Sequence, residues 1–311
     1  MNRLLSIILT VFLAGIIHQA QAQQSCHKEK FSFVFMTDIH VQPELNADKG
    51  LMQAINKVNE LNPDFVITGG DLIMDALGQT QGRADSLYQL YKRLQNRFNM
   101  PVFNTIGNHE HYAFYMRDEI SRDDPDYGDK IYRRYLGLPC YSFNYGGWHF
   151  ISLNSIIETE DRGYRGGISE DQIAWLKRDL AGICDNTPIA VSVHIPLITA
   201  MNQILDGSRT ANDDGDVINN SKEVLSLFED KNLKLVLQGH LHYLEDLFIQ
   251  GKTHFITGGA VSSSWWKGKR YGMEEGFLYI TVEGDEFEWE YIDFGWEPGP
   301  RQEGRKAKRQ K

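Results

Sequence analysis

Five short polar blocks hold the residues of this chain that could do chemistry together: Asp38-Ile39-His40, Gly70-Asp71, Gly107-Asn108-His109-Glu110, His194, and Gly239-His240-Leu241-His242. They offer carboxylate oxygens, an amide oxygen and imidazole nitrogens, enough donors to hold two metal ions side by side. A single residue separates Asp38 from His40, so an oxygen and a nitrogen ligand can reach one ion from a strand end. Asp71 follows two glycines that permit close backbone approach, and its two carboxylate oxygens suit it to bridge two cations. A mixed nitrogen and oxygen set favours Mn, then Fe or Zn, over Ca or Mg, which prefer all-oxygen shells. Each block alone is a weak signal. Their joint occurrence, each after an apolar run, carries the reading.

Those apolar runs are the elements that must position the blocks. Phe31 to Met36 is aromatic and β-branched and predicts a first strand. Leu51, Ile55, Val58 and Leu61 recur at helical spacing, and Pro63 stops that helix. Asp64 to Thr68 predicts a second strand. Leu87, Leu90, Tyr91, Leu94 and Phe98 predict a second helix, and Pro101 to Thr105 a third strand. This alternation implies a parallel start to a sheet. From His111 to Leu138 the pattern weakens, and a long loop with some helix is expected over the site. Tyr141 to Tyr145 and Trp148 to Asn154 flank Gly146-Gly147 as a hairpin. Ser169 opens a helix with Gln172 completing a capping box, and Ile168 and Ile173 forming a hydrophobic staple. Strands are predicted at Ile189 to Val193 and Leu233 to Leu237, with a polar loop from Leu197 to Asn220 and a helix near Val224 to Phe228 between them. Antiparallel strands then close the domain: Leu244 to Ile249, Thr253 to Thr257, Phe277 to Val282 and Glu286 to Asp293. One α/β domain of two sheets faced by helices is the simplest architecture.

Composition bounds the function. Of 311 residues, 41 % are apolar and 24 % charged, which predicts a globular core. A net charge of -10 argues against general nucleic-acid binding. Bound cations would supply the local positive charge that an anionic substrate needs. Arg3, the apolar run Leu4 to Ile17 and Ala20-Gln21-Ala22 predict a signal peptide over residues 1–22, cleaved after Ala22. That run is too short to span a membrane, so export to the periplasm or medium is expected, with no transmembrane span in the mature chain. Lipidation at Cys26 is disfavoured because Gln24-Ser25 lacks an aliphatic lead-in. Cys140 and Cys184 would be the better pair for a disulfide, but small buried thiols without a catalytic role are expected. Residues 297–311 predict a basic, disordered tail.

The five blocks, in this order, resemble the calcineurin-like metallophosphoesterase superfamily over about Phe31 to His242. The resemblance implies a two-sheet β-sandwich flanked by helices, as a single domain over residues 31–296. It implies one divalent ion on Asp38, His40, Asp71 and His242, and a second on Asp71, Asn108, His194 and His240. It places a non-ligand catalytic histidine at His109, acting as general acid, with Glu110 as its acidic partner. The expected reaction is hydrolysis of a small phosphomonoester or phosphodiester by attack of a metal-bridging hydroxide, with the two ions roughly 3.5–4 Å apart. A non-catalytic metal-dependent binding protein, or a hydrolase of another bond, are the alternatives. Met74 stands where many members carry a second aspartate, so Asp75 is not assigned as a ligand. Met74 and His40 together argue against the purple acid phosphatase branch. Trp265-Trp266-Lys267-Gly268 resembles a segment of secreted bacterial members.

Weaker features have plainer readings. His111 is expected to be solvated, and His149 and His254 structural. The Asp213-Asp214-Gly215-Asp216 cluster fails the EF-hand spacing and reads as a polar loop. Tyr112, Tyr115 and Arg117, and Trp265, Trp266, Lys267 and Arg270, are aromatic and basic segments that either recognise substrate or pack against a sheet.

Overall fold

A computed structural model of the chain describes residues 30–116 and 119–299. The segment expected to be a signal peptide, Cys26, Arg117 and the tail from residue 300 lie outside the described residues. Among the described residues no helix is long and apolar enough to cross a membrane.

The chain starts with β1 (Lys30–Met36), α1 (Ala47–Leu61), β2 (Phe65–Gly69), α2 (Gln81–Gln95) and β3 (Val102–Thr105). Short α3 (Lys130–Leu136) precedes the hairpin β4 (Tyr141–Tyr145) and β5 (Trp148–Ser152). Then come β6 (Ile156–Glu158), β7 (Tyr164–Gly166), α4 (Glu170–Ala181), β8 (Pro188–Ser192), α5 (Met201–Asp206) and α6 (Ser221–Ser226). The last strands are β9 (Asn232–Gln238), β10 (Leu244–Ile249), β11 (Thr253–Gly258), β12 (Gly276–Glu283) and β13 (Glu286–Asp293). One sheet runs β13-β12-β1-β2-β3 and the other β10-β11-β9-β8-β5-β4, with β6 and β7 as a separate pair.

Why β1 is apolar along most of its length follows from its position. Phe31, Phe33 and Phe35 point between the sheets and pack with Phe65, Trp148 and Phe150. Val34 and Met36 point the other way, into the cluster that contains Leu51, Ile55 and Val58 of α1. A strand covered on both faces cannot alternate apolar with polar. The Phe33 and Phe65 rings stack at 5.1 Å and 4°, and Phe150 meets Phe33 edge-on at 5.6 Å. Asn62, at φ 50°, closes α1 in the left-handed region just before Pro63.

Strands β1, β2 and β3 are mutually parallel, as are β5, β8 and β9. Their C-terminal ends therefore point to one rim, where the polar blocks follow. Hydroxyls pin the two sheets together near that rim, with Thr105 Oγ1 2.7 Å from Ser192 Oγ.

Several expectations need correcting. The closing strands are not one antiparallel set: β11 runs parallel to β9, and β12 and β13 leave for the other sheet, where β12 pairs antiparallel with β1. The Ser169 cap is half a capping box. Ser169 accepts from the Gln172 N–H, but the Gln172 amide grips the backbone N–H and C=O of Asn154. Cys140 and Cys184 are both free, and Cys184 is exposed rather than buried.

Phe33→Ala should cost about 3–5 kcal/mol of stability, the range for emptying an aromatic core site. Denaturant unfolding followed by circular dichroism would measure it. A midpoint unchanged from the parent would contradict the packing described.

Candidate metal centre

The ligand blocks share an unusual backbone. Asp38, His40, Asp71, His240 and His242 all have positive φ, at 55°, 47°, 52°, 71° and 51°. L-residues seldom adopt this region, and such conformations persist only where the surroundings impose them. Cross-block hydrogen bonds do so here. Asp38 N–H donates to Gly70 O at 3.0 Å, His40 N–H to Asp71 O at 2.8 Å and Gly239 N–H to His194 O at 2.9 Å. The His240 N–H donates to both Asp38 carboxylate oxygens, at 3.1 and 3.0 Å. Gly239 has no room for a side chain, since a Cβ would lie 2.0 Å from Thr37 Oγ1.

Two groups of donor atoms converge. In the first, His40 Nε2 lies 3.0 Å from His242 Nε2, and His242 Nε2 lies 3.4 Å from Asp38 Oδ1. In the second, His194 Nε2 lies 3.0 Å from Asn108 Oδ1 and 3.2 Å from His240 Nδ1. Asp71 Oδ2 stands between the groups, 3.6 Å from His40 Nε2 and 3.2 Å from His194 Nε2. Donors about 2.1 Å from a shared ion, at octahedral or tetrahedral angles, stand about 3.0–3.4 Å apart. Asp38, His40 and His242 form one set able to hold an ion, Asp71, His194 and His240 another, and the donor atoms of His40, Asp71 and His109 also converge. All seven residues expected as ligands thus meet at the rim.

The electrostatics favour cations. Burial, and next the charge on His109, holds the His40 imidazole well below its ordinary range. Burial also lowers His242, and it brings His240 down to about 3 with help from His194. These rings are neutral at pH 7, the form that ligates metals. Burial opposes charge on Asp71 too, but His194 and its fellow imidazoles outweigh it and hold the carboxyl well below the usual range. His194 answers in kind: burial is overcome by Asp71 and the ring is pushed up to about 9. Burial raises Asp38. Neutral His40, His240 and His242 rings and the ionised Asp71 carboxylate are the donor forms that divalent ions take, while His194 would give up its proton to an ion.

A family model for calcineurin-like phosphoesterases matches residues 31–244. The chain belongs to that family. It is a metallophosphoesterase, and its relatives carry names of that kind. A probable cyclic nucleotide phosphodiesterase of Xenorhabdus bovienii is 23 % identical over 264 residues, 80 % of this chain and 94 % of the relative. A 3′,5′-cyclic-nucleotide phosphodiesterase of Nostoc is 24 % identical over 225 residues, 69 % of this chain and 73 % of the relative. The crystal structure of a dimetal phosphatase from Danio rerio superposes with a TM-score of 0.61 at 16 % identity, covering 84 % of this chain and 95 % of that one.

In this phosphoesterase the neighbours of the ligands differ from expectation. Glu110 does not hold the His109 ring. Its buried carboxylate accepts four backbone N–H bonds, from Asp71 at 2.9 Å, Leu72 at 2.7 Å, Ile73 at 3.1 Å and Gly107 at 2.7 Å. Burial, and next the Asp71 charge, push the Glu110 carboxyl up to about 7. The four donors pull the other way, since only the anion accepts from all of them. The His109 ring is held instead by the Met74 carbonyl, to which Nδ1–H donates. That leaves Nε2 facing the centre, 3.8 Å from Asp71 Oδ2. Asp75 caps a turn, accepting from Leu77 N–H at 2.8 Å, and belongs to neither group of donors. His111 is buried rather than solvated, with Nδ1–H donating to Gly107 O at 2.9 Å.

The two tryptophans separate. Trp266 is buried and donates from Nε1 to the carbonyls of Ile39 and His40, so it braces the first ligand block. Ser262 adds a bond from its hydroxyl to Asp38 O at 2.8 Å, and Ser263 O accepts from His242 Nδ1–H. Trp265 instead lines the centre. The Trp265-Trp266 pair stands out in the sequence but its bracing role does not, because that role rests on contacts to residues more than two hundred positions earlier.

Glu110→Gln would turn an amide NH₂ toward backbone donors and loosen the Asp71 turn. Metal affinity should fall about 10–100-fold, the usual cost of losing a residue that orients ligands. Equilibrium metal titration would measure this, and an affinity equal to wild type would refute the bracing role.

Proposed function

We propose that this chain hydrolyses a small phosphoester, diesters ahead of monoesters, at a centre of two divalent cations. The observation that carries the reading is the shared Asp71 oxygen, 3.6 Å from one imidazole group and 3.2 Å from the other. Asp38, His40, Asp71 and His242 would hold one ion, and Asp71, Asn108, His194 and His240 the other. Manganese comes first on the mixed donor set, ahead of iron or zinc. The preference for diesters rests on the names of the two cyclic-nucleotide phosphodiesterases reported above. Export through residues 1–22 belongs to the same reading, on the pattern of that segment alone.

When bound, such a pair supplies Lewis acidity toward phosphoryl oxygens and a water acidic enough to act as nucleophile at neutral pH. The chain's own residues do the rest. Asp71 keeps its negative charge because the imidazoles around it outweigh burial. His109 is fixed by its Nδ1–H bond to Met74 O, so protonation at Nε2 aims a proton at the centre. That proton suits the leaving oxygen, and such general acid help is worth about 10²–10⁴-fold. A purely metal-binding role would not need this fixed, non-ligand ring.

Protein loaded with Mn²⁺ should hydrolyse bis(p-nitrophenyl) phosphate faster than p-nitrophenyl phosphate, with no turnover after chelation. His109→Ala should lower kcat by about 10²–10⁴-fold while retaining both ions. No metal-dependent turnover across a phosphoester panel would end the enzymatic reading. Loss of one ion in His109→Ala would make His109 a ligand, because its donor atom converges with those of His40 and Asp71.

A further inference from the structure

The segment after β11 walls the His242 side of the centre. The Trp265 ring is half-buried, 4.6 Å from the His242 ring and 6.0 Å from the His40 ring. Arg270 Cζ lies 4.7 Å from the Trp265 ring and 4.9 Å from the Tyr271 ring. The guanidinium is therefore held by two aromatic rings. Its backbone is fixed as well. Arg270 and Met273 exchange both backbone hydrogen bonds, at 3.1 and 2.9 Å. Tyr271 and Gly272 turn between them with φ of 51° and 82°, the left-handed pair of a tight hairpin turn. Ser263 ties this hairpin to the centre: its hydroxyl donates to Met273 O at 3.0 Å, and its carbonyl accepts from His242.

Among the described residues no carboxylate pairs with Arg270. Its Nε is buried and makes no hydrogen bond, and Nη2 makes one long bond, 3.4 Å to the Tyr271 hydroxyl. Other arginines of this acidic chain are paired: Arg134 with Asp85 and Asp126, Arg122 with Glu158, Arg83 with Glu44. Sequestering part of an unpaired cation is costly unless an anion completes it. Stacking leaves the in-plane N–H edge free, and that edge matches the oxygens of a phosphate or carboxylate.

We propose that Arg270 recognises substrate, its in-plane edge taking an oxyanion of the phosphoester while Trp265 and Tyr271 hold it in place. The proposal rests on the phosphoesterase reading above. The oxyanion is either a free oxygen of the scissile phosphoryl group or a second anionic group on the alcohol.

Calorimetric titration of Mn²⁺-loaded wild type and Arg270→Gln with phenylphosphonate and 4-carboxyphenylphosphonate distinguishes these. Metal content, measured first, should match in the two proteins. Arg270→Gln should weaken binding about 10–100-fold, the scale of a charged hydrogen bond. Equal weakening of both ligands assigns Arg270 to the phosphoryl group, and weakening of the carboxylated ligand alone assigns it to a second anion. Arg270→Lys, which keeps the charge without the planar fork, should recover only part of the affinity. Unchanged affinity for both ligands in Arg270→Gln, with full metal content, overturns the proposal. Turnover of bis(p-nitrophenyl) phosphate by wild type is scored separately. Its absence would fail the phosphoesterase reading, while the titrations still decide on Arg270.

Discussion

Both halves of the centre depend on one buried charge, the Asp71 carboxylate. It faces His40 of one group of donors and His194 of the other through the same oxygen. Burial disfavours that charge, and the imidazoles more than restore it. Glu110 makes the arrangement possible at some cost. It folds the Asp71-Leu72-Ile73 turn around itself by taking three successive backbone N–H groups, yet it adds a second buried carboxylate close to the first. The repulsion between them raises the Glu110 carboxyl, the backbone donors and the imidazoles offset part of it, and cations at the donor sets would offset more. The site is thus built to be completed by cations.

The fold supports this from a distance. The parallel strands of the two sheets point their C-terminal ends to one rim, and the aromatic layer led by Phe33 and Phe65 holds the sheets together. At the rim, five of the seven expected ligands sit in the left-handed region, a strain the hydrogen bonds between blocks must offset. The segment from Ser262 to Met273 closes the ring of supports. It braces Asp38 and His40 through Ser262 and Trp266, orients His242 through Ser263, and presents Trp265 and Arg270 to the open side. Bracing and recognition are thus neighbours on one loop.

How much of this could be read from residues alone varied with the range of the interaction. Strands β1 to β3 and the ligand blocks were legible because each block directly follows its apolar run, and both signals are local. The allocation of the last four strands was not, because a largely buried run such as β11 looks the same whether its partner is parallel or antiparallel. The pairing of β12 with β1 joins residues from opposite ends of the chain. Glu110 misled for a different reason. Adjacency to His109 suggested a shared role, but Asn108–Glu110 forms a 3₁₀ turn, whose successive side chains diverge by about 120°. His109 therefore points to the centre and Glu110 into the backbone behind it. The same holds for Trp265 and Trp266, adjacent residues with opposite assignments.

The most direct test of the shared carboxylate is a count of bound ions. Metal analysis should be performed on wild type and Asp71→Asn after loading with Mn²⁺ and removal of free metal. Wild type should hold two ions per chain and Asp71→Asn neither, because each group of donors relies on the same oxygen. Asp71→Asn protein that still holds two ions would contradict this.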